Sequence, residues 1–280
     1  MLGKLIKHEF KSTYKVGCLL LGATVLITLF GWLAFQSPLW SNTENARYSV
    51  NLMDIVSVFM MIMYVVMLIG VVYGTYIYLS LHFYKTMYTD QGYLLHTLPV
   101  TKHEILGTKI LVSGVWVLLT MIAITLSVIL FVVACFTSVF RADGYTMASA
   151  WQEIRSYLLD LPAWFNIEFG WDMTGTLVFW GIGILVSPFV TMTILFGAIS
   201  LGQLFTKYRV VMAIVCYIGI SIIRSLIESV SQWLMIPLQN SGVGNYVNFH
   251  TVFSLAVTLL MAVVLYFISW MVTSRKLNMQ

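Results

Sequence analysis

Few residues in this chain could do chemistry, and their spacing fits none of the common catalytic sites. Five histidines occur, and no two stand three or four residues apart, the spacing at which a helix presents two metal ligands. His103 precedes Glu104, but the second histidine of a zinc-binding helix is missing. We therefore expect no catalytic residue, no metal and no cofactor in this chain, and a membrane-embedded enzyme is the least favoured alternative.

The glycines likewise provide no site for nucleotide phosphates. The run Gly107-Thr108-Lys109 lacks the loop that precedes the lysine of a P-loop, and Gly242-Val243-Gly244 is too short for a dinucleotide-binding fingerprint. The sequence therefore predicts that this chain does not itself bind a nucleotide.

One pair of opposite charges falls inside an apolar run. Arg224 and Glu228 are four residues apart, so a helix places them on one face, where pairing limits the cost of burying either charge. Counted from Arg209 at 1.5 Å per residue, they lie about 22 and 28 Å along the helix. Two interpretations stay open: a structural ion pair near the lipid interface, or a polar contact that lines a subunit interface or an outward cavity.

The composition explains why charged groups are scarce. Of 280 residues, 60% are hydrophobic and 9% are charged, whereas a soluble domain carries about 25% charged residues. Lipid must therefore be the solvent for most of the chain. The formal charge of +4 is too small to indicate nucleic-acid binding.

Six apolar runs are long enough to cross a membrane, which takes about 20 residues each. Their length and uniform apolarity favour helices over the short alternating strands of a barrel, so we predict an all-α membrane protein. The second and third runs exceed the requirement by about ten residues. The predicted spans are 16–35, 54–81, 105–140, 175–204, 210–235 and 251–273.

Lysine and arginine are concentrated in alternate connections, which predicts that both termini face the cytoplasm. Residues 1–15 have an apolar stripe with lysines between, which predicts an amphipathic helix at the inner membrane surface. Residues 16–280 then form one transmembrane domain, with an inner segment at 82–104 and an outer segment at 141–174. The stripe consists of Leu2, Leu5, Ile6, Phe10 and Tyr14.

The inner segment is the most distinctive part of the sequence. Asp90 to Gly92 favours a turn or helix start, Pro99 a stop, and Thr101 with Glu104 is a capping box that opens the third span. A short stiff helix between two overlong spans is a mechanical connector, because a push on it reaches both.

The segment resembles the corresponding intracellular part of ABC-2-type permeases, the transmembrane subunits of bacterial ABC exporters with a type V exporter-like bundle. Gln91 departs from the family pattern, where glutamate is expected. The opening Leu5-Ile6-Lys7-His8-Glu9-Phe10-Lys11 and the six spans extend the likeness over the whole chain. The matching residues are Phe83, Tyr84, Lys85, Asp90, Gly92, Tyr93, Leu94, Thr97, Leu98, Pro99, Val100 and Lys109.

This resemblance implies a permease in the bacterial plasma membrane that exports an amphipathic or hydrophobic substrate, such as an antimicrobial peptide, a lipid or a drug. A separate ABC ATPase subunit would bind ATP and Mg²⁺, and a second permease chain, identical or paralogous, would complete the transporter within the membrane lipid. The inner segment would be the coupling helix that docks on the ATPase. The coupling residues so implied are Tyr84, Lys85, Asp90, Gln91, Gly92, Tyr93, Leu94, Thr97, Leu98 and Pro99.

The main alternative is a six-helix secondary transporter or channel. Such proteins often bind their substrate where a membrane helix is broken, and Pro188, after Gly181 and Gly183, could break the fourth span. A proline-bent helix that only packs is the commoner case, because glycine and proline are ordinary in membrane helices.

Overall fold

Six long helices make up most of the part of the chain that the computed structural model describes. The described residues are 2–34, 52–89, 92, 99–142, 151–152, 155–157, 159–160, 162–164, 173–205, 207–240 and 246–275. The helices are α1 (Leu2–Ala34), α2 (Leu52–Tyr88), α3 (Lys102–Ala142), α4 (Met173–Gly202), α5 (Arg209–Asn240) and α6 (Tyr246–Arg275).

Each of the six helices is long and apolar enough to cross a membrane. The described part of the chain is therefore all-α with six candidate membrane spans, as predicted for a multi-pass membrane protein. Helices α2 and α3, with 37 and 41 residues, are the longest of the six. At 1.5 Å per residue they measure about 55 and 60 Å, roughly twice the 30 Å thickness of the hydrocarbon. The predicted excess length of the second and third spans is therefore present.

Within the predicted amphipathic helix 1–15, residues 2–15 are helical, and they continue without a break into the first span as the single helix α1. Leu5, Ile6 and Phe10 are partly buried, whereas Leu2 and Tyr14 are about half exposed. The packed face of α1 is thus narrower than the predicted stripe. The position of this segment at a membrane surface stays a prediction.

Two compact units divide the chain. One contains 1–11, 78–115 and 162–280, and the other contains 12–77 and 116–161. We call the first the major unit and the second the minor unit.

Several helix ends adjoin lysine-rich segments of the sequence, and we call them the Lys-rich ends of the helices. They are the start of α1, the end of α2, the start of α3, the two ends at the turn between α4 and α5, and the end of α6.

The minor unit packs around a buried tyrosine. Tyr64, 3% exposed, lies with Ile27 and Leu68 in an apolar cluster, stacks on Phe131 with ring centres 4.5 Å apart, and shares a 2.9 Å hydrogen bond with Ser127. The ring of Tyr64 packs among apolar side chains, and its hydroxyl has the hydrogen-bond partner that a buried tyrosine normally needs. These contacts hold the helix segments of the minor unit together.

Helix α4 packs against α5 and α6 in the major unit. Pro188 lies inside α4, which continues through it, so this proline does not end the helix. Before Pro188, the apolar side chains from Leu177 to Leu185 are largely exposed. After it, Met192 and Phe196 are almost fully buried.

A tight turn joins α4 to α5. Tyr208 adopts a left-handed backbone conformation with φ of 59°, and its carbonyl accepts a 2.9 Å hydrogen bond from the amide of Met212. A Cβ atom on Gly202 would lie 2.6 Å from the backbone of Ala213. Only glycine fits there without moving one of the two helices.

Candidate functional site

The predicted coupling residues fall partly within the described chain. Tyr84, Lys85, Gly92 and Pro99 are described. The other six lie outside the described residues: Asp90, Gln91, Tyr93, Leu94, Thr97 and Leu98.

The last two turns of α2 have a packed face and an outward face. Phe83 and Met87, four residues apart, are 1% and 0% exposed, while Lys85 between them is exposed and Tyr84 is partly buried. Helical spacing therefore turns the ammonium group of Lys85 away from the packed face. A partner that docks on this part of α2 would meet Lys85 first.

The chain turns sharply where α2 ends. The amide of Gly92 donates a 2.7 Å hydrogen bond to the carbonyl of Thr89, and a Cβ atom on Gly92 would lie 2.5 Å from the carbonyl oxygen of Met87. Gly92 is thus required by the close approach of two backbone segments. This hydrogen bond fits the turn or helix start predicted for Asp90 to Gly92, of which Asp90 and Gln91 lie outside the described residues.

A buried polar cluster joins the Lys-rich ends of α1, α2 and α3, and its centre is Glu9. One carboxylate oxygen, Oε1, lies 3.0 Å from Nε2 of His82 and 2.9 Å from Nζ of Lys109. The side chain of Lys109 is 3% exposed, and those of Glu9 and His82 are 15% exposed. We call Glu9, His82, Thr86 and Lys109 the Glu9 cluster.

Thr86 completes the surroundings of the lysine. Nζ of Lys109 donates a 2.6 Å hydrogen bond to Oγ1 of Thr86, which in turn donates to the carbonyl of His82 at 2.8 Å. A buried ammonium group is tolerable only when it is paired and hydrogen-bonded, and here both conditions are met. Among the described residues, no group of three or more His, Cys, Asp or Glu side chains is placed so that it could hold a metal ion.

An aromatic contact joins the other side of the α2 end to α4. The rings of Phe83 and Phe196 stack with their centres 3.9 Å apart and their planes within 6°. The hydroxyl of Tyr88 donates a 2.7 Å hydrogen bond to Oγ of Ser200, also on α4. The end of α2 is therefore held by polar contacts to α1 and α3 and by aromatic and hydroxyl contacts to α4.

The start of α3 has the predicted capping box. The amide of Thr101 donates to the Glu104 carboxylate at 3.1 Å, and the amide of Glu104 donates to Oγ1 of Thr101 at 3.3 Å. Two helix-end amides are thereby satisfied. One residue before Glu104, the ring of His103 stacks on Trp270 of α6 at 4.8 Å, so the start of α3 is also held to α6.

The predicted ion pair on α5 is confirmed, and it lies outside the Glu9 cluster. Nε of Arg224 is 3.0 Å from Oε1 of Glu228, with the two side chains 42% and 26% exposed. The same oxygen accepts a 2.9 Å hydrogen bond from Ser254 of α6. The pair therefore also connects two helices, a structural role that sequence spacing did not indicate.

Glu9 lies in the opening run that resembles the family, but no pattern in the sequence assigned it a role. Its spacing could have indicated a packed position. Glu9 lies four residues after Leu5 and three after Ile6, so a helix places it on the same packed face although it is charged. His82 and Lys109 stood in the segments already noted, but nothing in their spacing indicated that they share one carboxylate.

Taken together, these contacts join the described ends of α1, α2 and α3 through side chains of the Glu9 cluster. The chain matches no protein-family model, no curated protein and no solved structure. The described fold is that of a multi-pass membrane protein with six long helices. Hydrogen bonds, ion pairs and aromatic contacts join the Lys-rich ends of several of these helices.

Proposed function

We propose that this chain is the transmembrane subunit of an ATP-driven exporter of the ABC-2 type, with both termini in the cytoplasm of a bacterial cell. The observation that carries the proposal is the end of α2. The run Phe83-Tyr84-Lys85 that resembles the family pattern has its phenylalanine locked into the helix packing and its lysine exposed. A connector that receives a push needs both a fixed side and an accessible side.

In this proposal, a separate ATPase subunit binds ATP and Mg²⁺ and docks on residues 82–104. Closure of two ATPase copies displaces this segment, and α2 and α3 carry the displacement along their length of roughly 55–60 Å because hydrogen-bonded helices are stiff rods. Two permease chains then change the access of a substrate to the path between them. Spans with so few charges suit an amphipathic or hydrophobic substrate.

Loss of the exposed charge on α2 tests the docking step. The chain is co-expressed with an ABC ATPase from the same genome, chosen because it co-purifies with the wild-type chain, and the amount of ATPase that co-purifies is measured for Lys85→Glu. We expect at least a tenfold loss, about 1.4 kcal/mol, because a reversed rim charge at an interface meets a surface selected for the opposite sign.

The matched control is Lys207→Glu, which reverses another exposed lysine, in the turn between α4 and α5. It should retain most of the ATPase. If both variants bind like wild type, the docking surface is elsewhere, and if wild type transports without any ATPase, the chain is a secondary transporter.

A further inference from the structure

We propose that Glu9 is a positioning residue that makes the start of α1 move together with the Lys-rich ends of α2 and α3. The inference rests on the proposed function, because the movement concerned is the one that an ATPase would drive through residues 82–104. It extends that function to a helix that is far from this segment in sequence.

One oxygen atom of Glu9 contacts both of the other helices. Oε1 of Glu9 contacts Nε2 of His82 on α2 and Nζ of Lys109 on α3, at 3.0 and 2.9 Å. The heavy atoms of an N–H···O hydrogen bond normally lie about 2.7–3.2 Å apart. A shift of α1 by little more than 1 Å away from α2 and α3 therefore breaks both contacts at once.

The burial of Lys109 makes such a shift unfavourable. Its side chain is 3% exposed, so separation from Glu9 leaves a charge that water cannot reach without further opening. Removing one partner of a buried ion pair corresponds to a factor of about 10² to 10⁴ in an equilibrium constant. Conformations in which α1 separates from α3 are disfavoured by a similar factor, and α1 follows the other two helix ends.

The neighbouring residues of α1 indicate that this is a specific link. Lys4, Lys7 and Lys11 are exposed, whereas Glu9 lies on the face of the partly buried Leu5. The only acidic residue in this cationic stretch thus points into the packing. An ordinary solvated helix would leave it outside with the lysines.

The link is tested with spin labels at two exposed positions, Lys11→Cys on α1 and Leu81→Cys on α2, in an otherwise cysteine-free chain. Neither position belongs to the residues proposed to dock on the ATPase. The distance distribution is measured by electron paramagnetic resonance in the complex with the ATPase, first without nucleotide and then with Mg-ATP and vanadate. We expect one narrow distribution that is the same in both states. In Glu9→Gln, the distribution should broaden or shift between the states, and ATP hydrolysis should no longer be stimulated by assembly with the permease.

Two further variants separate positioning from folding. Glu9→Lys combined with Lys109→Glu reverses the pair and should restore the narrow distribution in at least part of the population. Glu104→Gln removes a different carboxylate at the start of α3 and should leave the distance unchanged, since Glu104 serves the helix cap.

The outcomes distinguish the inference from the proposed function. A distance that changes with nucleotide in the wild-type complex, or one that stays fixed in Glu9→Gln, overturns the link while an assembled ATPase still supports the exporter. If no ATPase assembles, the exporter proposal fails. The link is then decided by the permease alone, where wild type must give the narrow distribution and Glu9→Gln a broader one.

Discussion

Removal of the two charges of the Glu9 cluster should destabilise the protein unequally. Glu9→Gln leaves the ammonium of Lys109 almost fully buried without its counter-ion. Breaking a buried pair in this way costs about 3–5 kcal/mol, and we expect about 4 kcal/mol. Lys109→Met leaves the Glu9 carboxylate, which is 15% exposed and still 3.0 Å from His82, so we expect only about 2 kcal/mol.

The double variant Glu9→Gln with Lys109→Met should lose no more than Lys109→Met alone, about 2 kcal/mol or less, because no unpaired charge remains and the methionine fills much of the space of the lysine. The free energy of unfolding is measured by titration with sodium dodecyl sulfate in mixed micelles, followed by near-ultraviolet circular dichroism. Glu9→Gln should lower the free energy of unfolding more than Lys109→Met does. If Lys109→Met is the more damaging one, or if the two effects add within about 0.5 kcal/mol, the two groups are not a buried pair.

Two other predictions concern packing and topology. Gly202→Ala should lower the free energy of unfolding by about 2 kcal/mol, because the new methyl group meets the backbone of Ala213 and overpacking costs about 1–3 kcal/mol. Gly219→Ala, at a helical glycine where a Cβ atom would meet none of the other described helices within 4 Å, should change it by less than about 0.5 kcal/mol, and equal effects in the same detergent titration would contradict the close approach at Gly202. In intact cells, a cysteine at Lys85 should be unreactive to an impermeant maleimide until the membrane is opened, whereas a cysteine at Ser149 should react at once; the reverse result would invert the proposed orientation.

The six helices could be predicted from the sequence because the signal is local and large. A run of about 20 apolar residues has few alternatives to a membrane helix, whatever lies around it. The capping box of Thr101 and Glu104 was predictable for the same reason, since both partners lie within one turn. The continuation of α1 from residue 2 into the first span was not, because the change from an amphipathic to an apolar pattern looks like a boundary.

The Glu9 cluster depends on contacts between residues up to a hundred positions apart, which no local pattern encodes. Part of it could still have been reasoned out. Lys109 stands in an apolar run and needs a buried counter-ion, and the predicted topology leaves only Glu9, Asp90 and Glu104 as carboxylates on its side of the membrane. Glu104 is used by the helix cap, so the choice narrows to two. The shared oxygen that also contacts His82 required the three-dimensional arrangement.

The contrast along α4 has a consequence for how this sequence can change over time. Before Pro188, the helix offers its side chains largely to the surroundings, and one apolar residue there serves as well as another. After Pro188, the side chains of Met192, Phe196 and Ser200 are 0–1% exposed. A change of even one methylene group there disturbs the packing of α4 against α2 or α6. Natural variants of this protein should therefore drift freely between Leu177 and Leu185 and stay nearly fixed between Met192 and Ser200, with the proline as the border between two rates of evolution in one helix.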